Sequence, residues 1–426
     1  MTTAAAAPTV PAAASAALSP ADAVLLFLAF AFAYFFSALL RAVTATLAPV
    51  FSAELGLSAA DLGLLAGAYF FGFAALQLPL GRALDRFGPR RVLLVLLGVA
   101  VLGCAAFALA RGLATLIAAR VLIGMGVAAC LMAPLTCYRR LFSPAAQLRT
   151  NSWMLMTGSL GMLASTLPVQ LLLPLTGWRG LFWAIAALLV VAMALILRLV
   201  PRDPPAPAAG AGDPTGYRTI VRHPLFLRLA PLAFFVYGGL IAVQSLWAGP
   251  WLTRVAGWSP SAAAQGLFGI NLAMLFAFLA WGALMPRLAA RGLDVMRLIA
   301  WGVPLSLLLL ALAVVRGPDA GALHWTLWCV ACTFVALSQP AVGQAFAAAQ
   351  AGRALSAFNL VIFSGVFCVQ WGIGLAIDAA QALGLDEVAA YRAAFGAFCA
   401  CCVASYLWFL RGHRARGIMA LPPLTP

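Results

Sequence analysis

Lysine is absent from this chain: all 26 basic side chains among its 426 residues are arginine. That is a habit of composition rather than of chemistry. Acid is scarce as well, with 11 Asp and Glu, and charged residues reach 9% against 65% hydrophobic. A chain so poor in charge belongs in a bilayer and not in water. The three histidines, His223, His324 and His413, fall in loops or at the ends of apolar runs. No cluster of His, Asp or Glu lies within those runs, so the pattern offers no metal site, no cofactor site and no intramembrane enzyme centre. No carboxylate lies deep in any run, since Asp22, Asp61 and Asp378 are near ends. The nine cysteines all fall within apolar runs, where thiols act as small hydrophobes. Cys329 and Cys332 have the spacing of a redox or metal pair but lack accompanying ligands. The first twenty residues are Ala/Pro-rich without a basic n-region, which predicts a disordered tail rather than a signal peptide.

What is present is a series of apolar runs, each near the ~20 residues that a bilayer core requires. They predict spans near 22–49, 60–80, 92–110, 113–137, 151–173, 178–200, 227–250, 261–284, 295–315, 323–346, 355–380 and 390–410. With both termini assigned to the cytoplasm, nineteen arginines fall inside, five outside (Arg111, Arg179, Arg254, Arg316 and Arg392) and two within spans. This positive-inside bias explains the +15 net charge through topology, and no nucleic-acid partner is expected. The segment 201–225, with its Pro-Arg-Asp-Pro-Pro and Gly-Ala-Gly-Asp-Pro runs, cannot bury a core and predicts a linker. The expected organisation is a disordered cytoplasmic tail over 1–20, a six-helix bundle over 21–200 and a cytoplasmic linker over 201–225. A second bundle over 226–412 and a tail over 413–426 complete it.

The stretch Gly81-Arg-Ala-Leu-Asp85-Arg86-Phe-Gly88-Pro-Arg90-Arg91 is a charged turn between two apolar runs. Gly81 would let a helix end closely packed, Gly88 would permit a tight reversal, and the arginines would hold the turn on one side of the membrane. An ordinary positive-inside loop accounts for the arginines but not for Asp85 and the paired glycines. This spacing resembles the loop signature of the major facilitator superfamily, in which it joins the second and third membrane helices and acts as a gate. The resemblance implies an all-α membrane protein with twelve transmembrane helices in two pseudo-symmetric six-helix bundles. A faint internal copy supports it: Gly282-Ala-Leu-Met-Pro286-Arg287 follows the eighth span, with Pro286 in place of the aspartate. Parallel repeats of this kind place a substrate site near the midplane, between the bundles.

Arg41 and Arg120 are the two charges within spans, and counting from the span ends puts both roughly 10–12 Å below the outer surface. A central arginine costs ~2.5–3.5 kcal/mol to insert, so such residues usually face a watery cavity. Tyr34, Ser37, Arg41 and Thr44 share one helical face, with apolar residues on the others. The bland alternative is that Arg41 snorkels to lipid headgroups. Arg41-Ala-Val-Thr-Ala-Thr-Leu-Ala-Pro49, followed by Glu54-Leu-Gly-Leu-Ser58, is similar to the first helix of the organic-anion branch of the superfamily. There the matching arginine grips a carboxylate of sugar-acid-type substrates. Those symporters often carry an acid just before it, where this chain has Leu40. Arg120-x-x-x-Gly124-x-Gly126 resembles the superfamily's fourth-helix motif, in which the arginine is tied to proton coupling. A structural role, bonding first-helix carbonyls, fits it equally.

Further candidates are Tyr237, Gln244 and Trp251 at spacing seven with Trp247 beside them, and Asn359 with Gln370 eleven residues on. Tryptophans near span ends also serve as interfacial anchors. The fifth span lacks the glycine-proline-glycine-glycine pattern of drug–proton antiporters, and nitrate-porter signatures are absent. The resulting expectation is a monomeric secondary transporter of a bacterial inner membrane, working by alternating access on a small organic anion. Arg41 would hold the anion with help from Arg120, the loop from Gly81 to Arg91 would gate, and protons are the candidate coupling ion. An exporter of amphipathic compounds is the alternative.

Overall fold

The computed structural model describes residues 19–202, 217–346 and 348–414. Nearly all of the expected tail over 1–20, most of the linker over 201–225 and nearly all of the tail over 413–426 lie outside these residues. Ser19 and Pro20 already cap and start the first helix. Twelve membrane-crossing segments follow one another. They are α1 Pro20–Leu55, α2 Ala59–Ala75 continued after a 44° bend by Gln77–Phe87, α3 Pro89–Leu109, α4 Leu113–Leu141, α5 Pro144–Ala164 and α6 Leu167–Leu199. The second half comprises α7 Pro224–Val255, α8 Pro260–Ala290, α9 Val295–Arg316, α10 Ala322–Gln344, α11 Ala348–Ala382 and α12 Glu387–Arg414. Ten are long and apolar enough to cross a membrane, and the bent α2 makes an eleventh. The remaining one, α5, carries Gln147, Arg149, Asn151, Thr157 and Ser159 and buries part of its length against α1.

Surface chemistry is inverted relative to a soluble protein. Leu102, Leu109, Leu171, Leu175, Val315 and Leu323 are 65% to 83% exposed, whereas Ser37, Arg120 and Gln370 are buried. Lipid satisfies the first set, and only protein neighbours can satisfy the second.

Both ends of the described chain lie at one end of the bundle, here the near end. Each crossing starts and stops for local reasons. Ser19 caps α1, accepting from the Asp22 amide at 3.1 Å, and Gly56 ends it with φ 63°. Ser58 and Asp61 form a reciprocal capping box that starts α2 at the far end. The chain between Pro144 and Leu199 departs from a simple pair of helices. Thr46 of α1 donates to the Ser165 carbonyl at 2.8 Å, Gln170 lies beside Val50 and Glu54, and Trp178 donates to Glu54. Residues 167–176, the start of the Leu167–Leu199 run labelled α6, therefore continue the course of α5 to the far end. Gly177, at φ 61° and ψ 171°, breaks the run, and the chain returns from Trp178. There Glu54 accepts from Trp178 Nε1 and from Arg179, and these bonds, Arg179's first, hold its carboxyl below the usual carboxylate range. A depressed carboxylate stabilises the fold above its unfolded pKa and loses that contribution as the pH falls through the lowered one.

Within the first bundle, glycines bring backbones into contact. A Cβ at Gly124 would strike the Tyr69 carbonyl and the Phe73 amide of α2, and one at Gly126 would strike Ala100 of α3. This is the small-residue packing that replaces the hydrophobic effect inside lipid. The charged stretch that begins in the second part of α2 is more helical than its sequence predicts. Gly81 lies inside Gln77–Phe87, with open space around it, and does not end a helix. The reversal falls on Gly88 alone, at φ 80°, where Pro89 starts α3 with the fixed φ of a helix N-terminus. Gly282 likewise sits within α8.

Candidate functional site

The two bundles meet along α1 and α2 on one side and α7 and α11 on the other. At the far end their backbones touch. A Cβ at Gly63 of α2 would fall on the Gln370 carbonyl of α11, one at Gly374 of α11 on the Ala59 carbonyl, and one at Gly249 of α7 on the Ala45 carbonyl. The Asp378 carboxylate of α11 closes this contact, accepting from the Ala59 amide at 3.1 Å and the Ala60 amide at 3.0 Å at the start of α2. A small cavity of about 200 Å³ remains above it, lined by Ser52, Arg254, Asp378, Glu387 and Tyr391 among others. In this conformation the far end is shut.

Asp378 thus bridges the bundles through a helix N-terminus, an interaction of the capping class worth about 0.5–2 kcal/mol. Asp378→Ala should shift the far end toward opening by roughly 2- to 30-fold in population. A cysteine placed at Leu62, which lines this cavity, should then react faster with a membrane-impermeant maleimide by that factor. Equal rates in the presence and absence of Asp378 would assign it to local capping without a role in closure.

Below the closure lies Arg41, which remains partly accessible despite its depth. Its guanidinium sits among the phenol groups of Tyr34 on its own helix, Tyr69 of α2 and Tyr237 of α7. Its Cζ lies 5.7 Å from the centre of the Phe73 ring. Arg41 Nε is buried without a hydrogen-bond partner, and so is Ser37 Oγ one turn away. Tyr69 donates to the Ser37 carbonyl at 3.3 Å, and the Tyr34 ring packs on Gly158 of α5. Thr44 is buried on the same face. Aromatic rings extend the wall across to α11, where Phe363 meets Phe73 at 4.6 Å and Phe70 at 6.2 Å between ring centres.

Arg120 lies at the level of Arg41 but is turned away from solvent. It is fully buried, donates from Nη1 to the Leu40 carbonyl at 2.8 Å and stands over the Phe107 ring. That bond joins α4 to α1 beside the close approach at Gly124. No ion pair among the described residues includes either arginine.

The amides proposed from α7 and α11 engage neighbouring helices. Gln244 donates to Asn271 of α8 at 2.9 Å, Gln370 donates to Ser245 of α7 at 3.0 Å, and Asn359 accepts from Gln339 of α10. Trp247 is buried and donates to the Gln370 carbonyl at 3.0 Å, and Trp251 donates to the Ala320 carbonyl at 3.0 Å. The spacing-seven face expected on α7 does not persist. Three π-helical turns, Ala233–Tyr237, Val243–Trp247 and Trp251–Val255, widen the helix. Each shifts the register, so Tyr237 reaches Arg41 while Gln244 turns to α8.

At the near end, Asp85 and Arg86 are exposed, Arg86 stands over the Phe87 ring, and Arg90 donates to the Leu197 carbonyl at the end of α6. Sequence reasoning missed Tyr69, Phe73 and Phe363. The run Tyr69-Phe-Phe-Gly-Phe73 has no polar periodicity, so nothing in α2 alone marks a cavity face.

Solved structures carry this architecture. A bacterial homologue of the human lysosomal transporter Spinster, in an inward-facing and occupied conformation, matches with a TM-score of 0.76 at 18% identity, covering 94% of this chain and 98% of that one. The nucleoside transporter NupG matches with a TM-score of 0.70 at 11% identity, covering 92% and 99%. At such identities the likeness is one of fold. In sequence, the chain is 31% identical over 179 residues to an uncharacterised MFS-type transporter, Rv1250, of Mycobacterium tuberculosis, 41% of this chain. The match spans 30% of that relative's length. The family model of the Major Facilitator Superfamily matches residues 30–370, and with its twelve helices in two bundles this chain belongs to that superfamily of membrane transporters.

Proposed function

We propose that this chain is a secondary transporter that carries a small organic anion by alternating access, with Arg41 as the anion ligand. The observation that carries the reading is the state of the two deep arginines. Arg41 is partly accessible between the bundles with no carboxylate to neutralise it, whereas Arg120, although its Nε and Nη2 are also unpartnered, is fully buried with Nη1 on the Leu40 carbonyl. A desolvated guanidinium without an acidic partner is balanced by an anion that enters from water. Tyr34, Tyr69 and Tyr237 supply hydroxyls around it, and Ser37 adds an unpartnered one. Arg120 secures the helix that presents Arg41.

We take the near end, the linker and both termini as cytoplasmic, in keeping with the arginine asymmetry of the loops, and the protein as a monomer in a bacterial inner membrane. On that assignment the closed far end makes this the inward-facing state, and the stretch from Gly81 through Asp85, Arg86, Gly88, Arg90 and Arg91 is the inner gate. Protons are the candidate coupling ion. The aromatic wall favours one second reading, an exporter of amphipathic compounds in which the arginine is incidental. A thermal-stability screen of purified protein separates the two. Carboxylates should raise the melting temperature and their neutral amides should not. Equal stabilisation by both would favour the amphiphile exporter.

A further inference from the structure

We propose that the substrate is a monovalent carboxylate with an apolar, preferably aromatic, body, and not a sugar acid or a di- or tricarboxylate. The inference rests on the anion reading above and narrows it. It follows from counting what the walls around Arg41 have left to offer.

Charge comes first. Arg41 and Arg120 are the cations deep within spans, and Arg120 is 0% exposed with its Nη1 committed to the Leu40 carbonyl. One guanidinium therefore faces the site, and it matches one carboxylate through two parallel donors. A second carboxylate would be desolvated with no cation to meet it, which a site of this kind rejects.

Hydrogen-bonding capacity comes next. A sugar acid carries several hydroxyls, each needing a partner once removed from water. The neutral amides that could serve are each engaged through one bond, and Gln370 Oε1 is left as a single unpartnered acceptor, too little for several hydroxyls. The Gln244 amide donates to Asn271, the Gln370 amide to Ser245, and Asn359 accepts from Gln339. The unpartnered Ser37 Oγ and the Tyr34 and Tyr237 hydroxyls lie around the guanidinium, where they would complete the shell of the carboxylate itself, the Tyr69 hydroxyl being committed to the Ser37 carbonyl.

The remaining surface is rings. Phe73 lies against Arg41 and packs edge-on to Phe363, with Phe70 stacked behind it. Offset and edge-to-face ring contacts favour an aromatic guest beyond its buried area alone. The site joins one charge to an aromatic wall, so the ligand should join one charge to an apolar body.

The test is a calorimetric binding series on the purified full-length protein with benzoate, gluconate, citrate and benzamide. Benzoate should bind at least tenfold more tightly than gluconate or citrate. Phe73→Leu, which keeps apolar packing but removes the ring, should weaken benzoate several-fold. Tighter binding of gluconate or citrate would overturn the apolar-body inference while leaving Arg41 as an anion ligand. Benzamide binding as tightly as benzoate would sink the anion reading itself. Absence of binding by every carboxylate would overturn both.

Discussion

Replacing Arg41 with lysine should cripple anion transport although the charge is kept. The guanidinium offers two parallel donors in a fixed fork, whereas an ammonium is a single strongly hydrated point that cannot copy that geometry. Hydrogen bonds to charged partners contribute about 1.5–3 kcal/mol each, so losing one of two implies roughly a 10- to 100-fold loss in apparent affinity. Arg41→Ala should abolish transport altogether while the protein still inserts and folds, since removing a charge from mid-membrane relieves an insertion penalty. Arg120→Lys should be milder, because a single bond to the Leu40 carbonyl is within an ammonium's reach. Uptake normalised to monodisperse protein on size exclusion is the readout. Full activity in Arg41→Ala would promote the amphiphile exporter.

The second large effect concerns folding. Gly124→Val should prevent accumulation of folded protein. Its side chain would be driven into the Tyr69 carbonyl and the Phe73 amide, which are backbone atoms and cannot rotate away. Forcing α2 and α4 apart would also separate Arg120 from Leu40 and pull Tyr69 and Phe73 from Arg41. Overpacking of this kind costs about 1–3 kcal/mol or more even where side chains can yield. Gly98→Ala is the control. Its new Cβ would meet only Met193 Cε at 3.9 Å, an ordinary contact. That substitution should be neutral or stabilising by up to about 1 kcal/mol, the helix-propensity difference. Fluorescence-detected size exclusion with a thermal ramp distinguishes the pair. A well-folded Gly124→Val protein would contradict the packing described for α2 and α4.

Much of this architecture is legible in the chain because membrane helices announce themselves. Continuous apolar length marks the crossings, and the single polar stripe through Tyr34, Ser37, Arg41 and Thr44 stands out against it. The breaks are less legible. The extension of α5 past Ser165 and the return at Gly177 depend on which partners the far end of α1 presents, and these are not adjacent in sequence. The polar residues of α7 and α11 illustrate the deeper difficulty. Gln244, Asn359 and Gln370 each fall on a plausible cavity face when one helix is considered alone. Their amides nonetheless meet Asn271, Gln339 and Ser245 on other helices. A buried amide is satisfied by whichever neighbour the packing brings to it, and no periodicity within one helix reveals that neighbour. The π turns of α7 compound this, since a helix that changes its residues per turn cannot be projected onto one wheel. Tyr69 and Phe73 escape for the opposite reason, as aromatic residues in a lipid-like helix carry no mark of facing a cavity.

The most direct measurement is counterflow in proteoliposomes. Vesicles holding this protein and preloaded with unlabelled benzoate should transiently accumulate labelled benzoate from outside. The accumulation should saturate, be competed by other monocarboxylates and vanish with Arg41→Ala. Accumulation of a neutral amphiphile with no carboxylate counterflow, or carboxylate counterflow undiminished in Arg41→Ala, would contradict the assignment of Arg41 as the anion ligand.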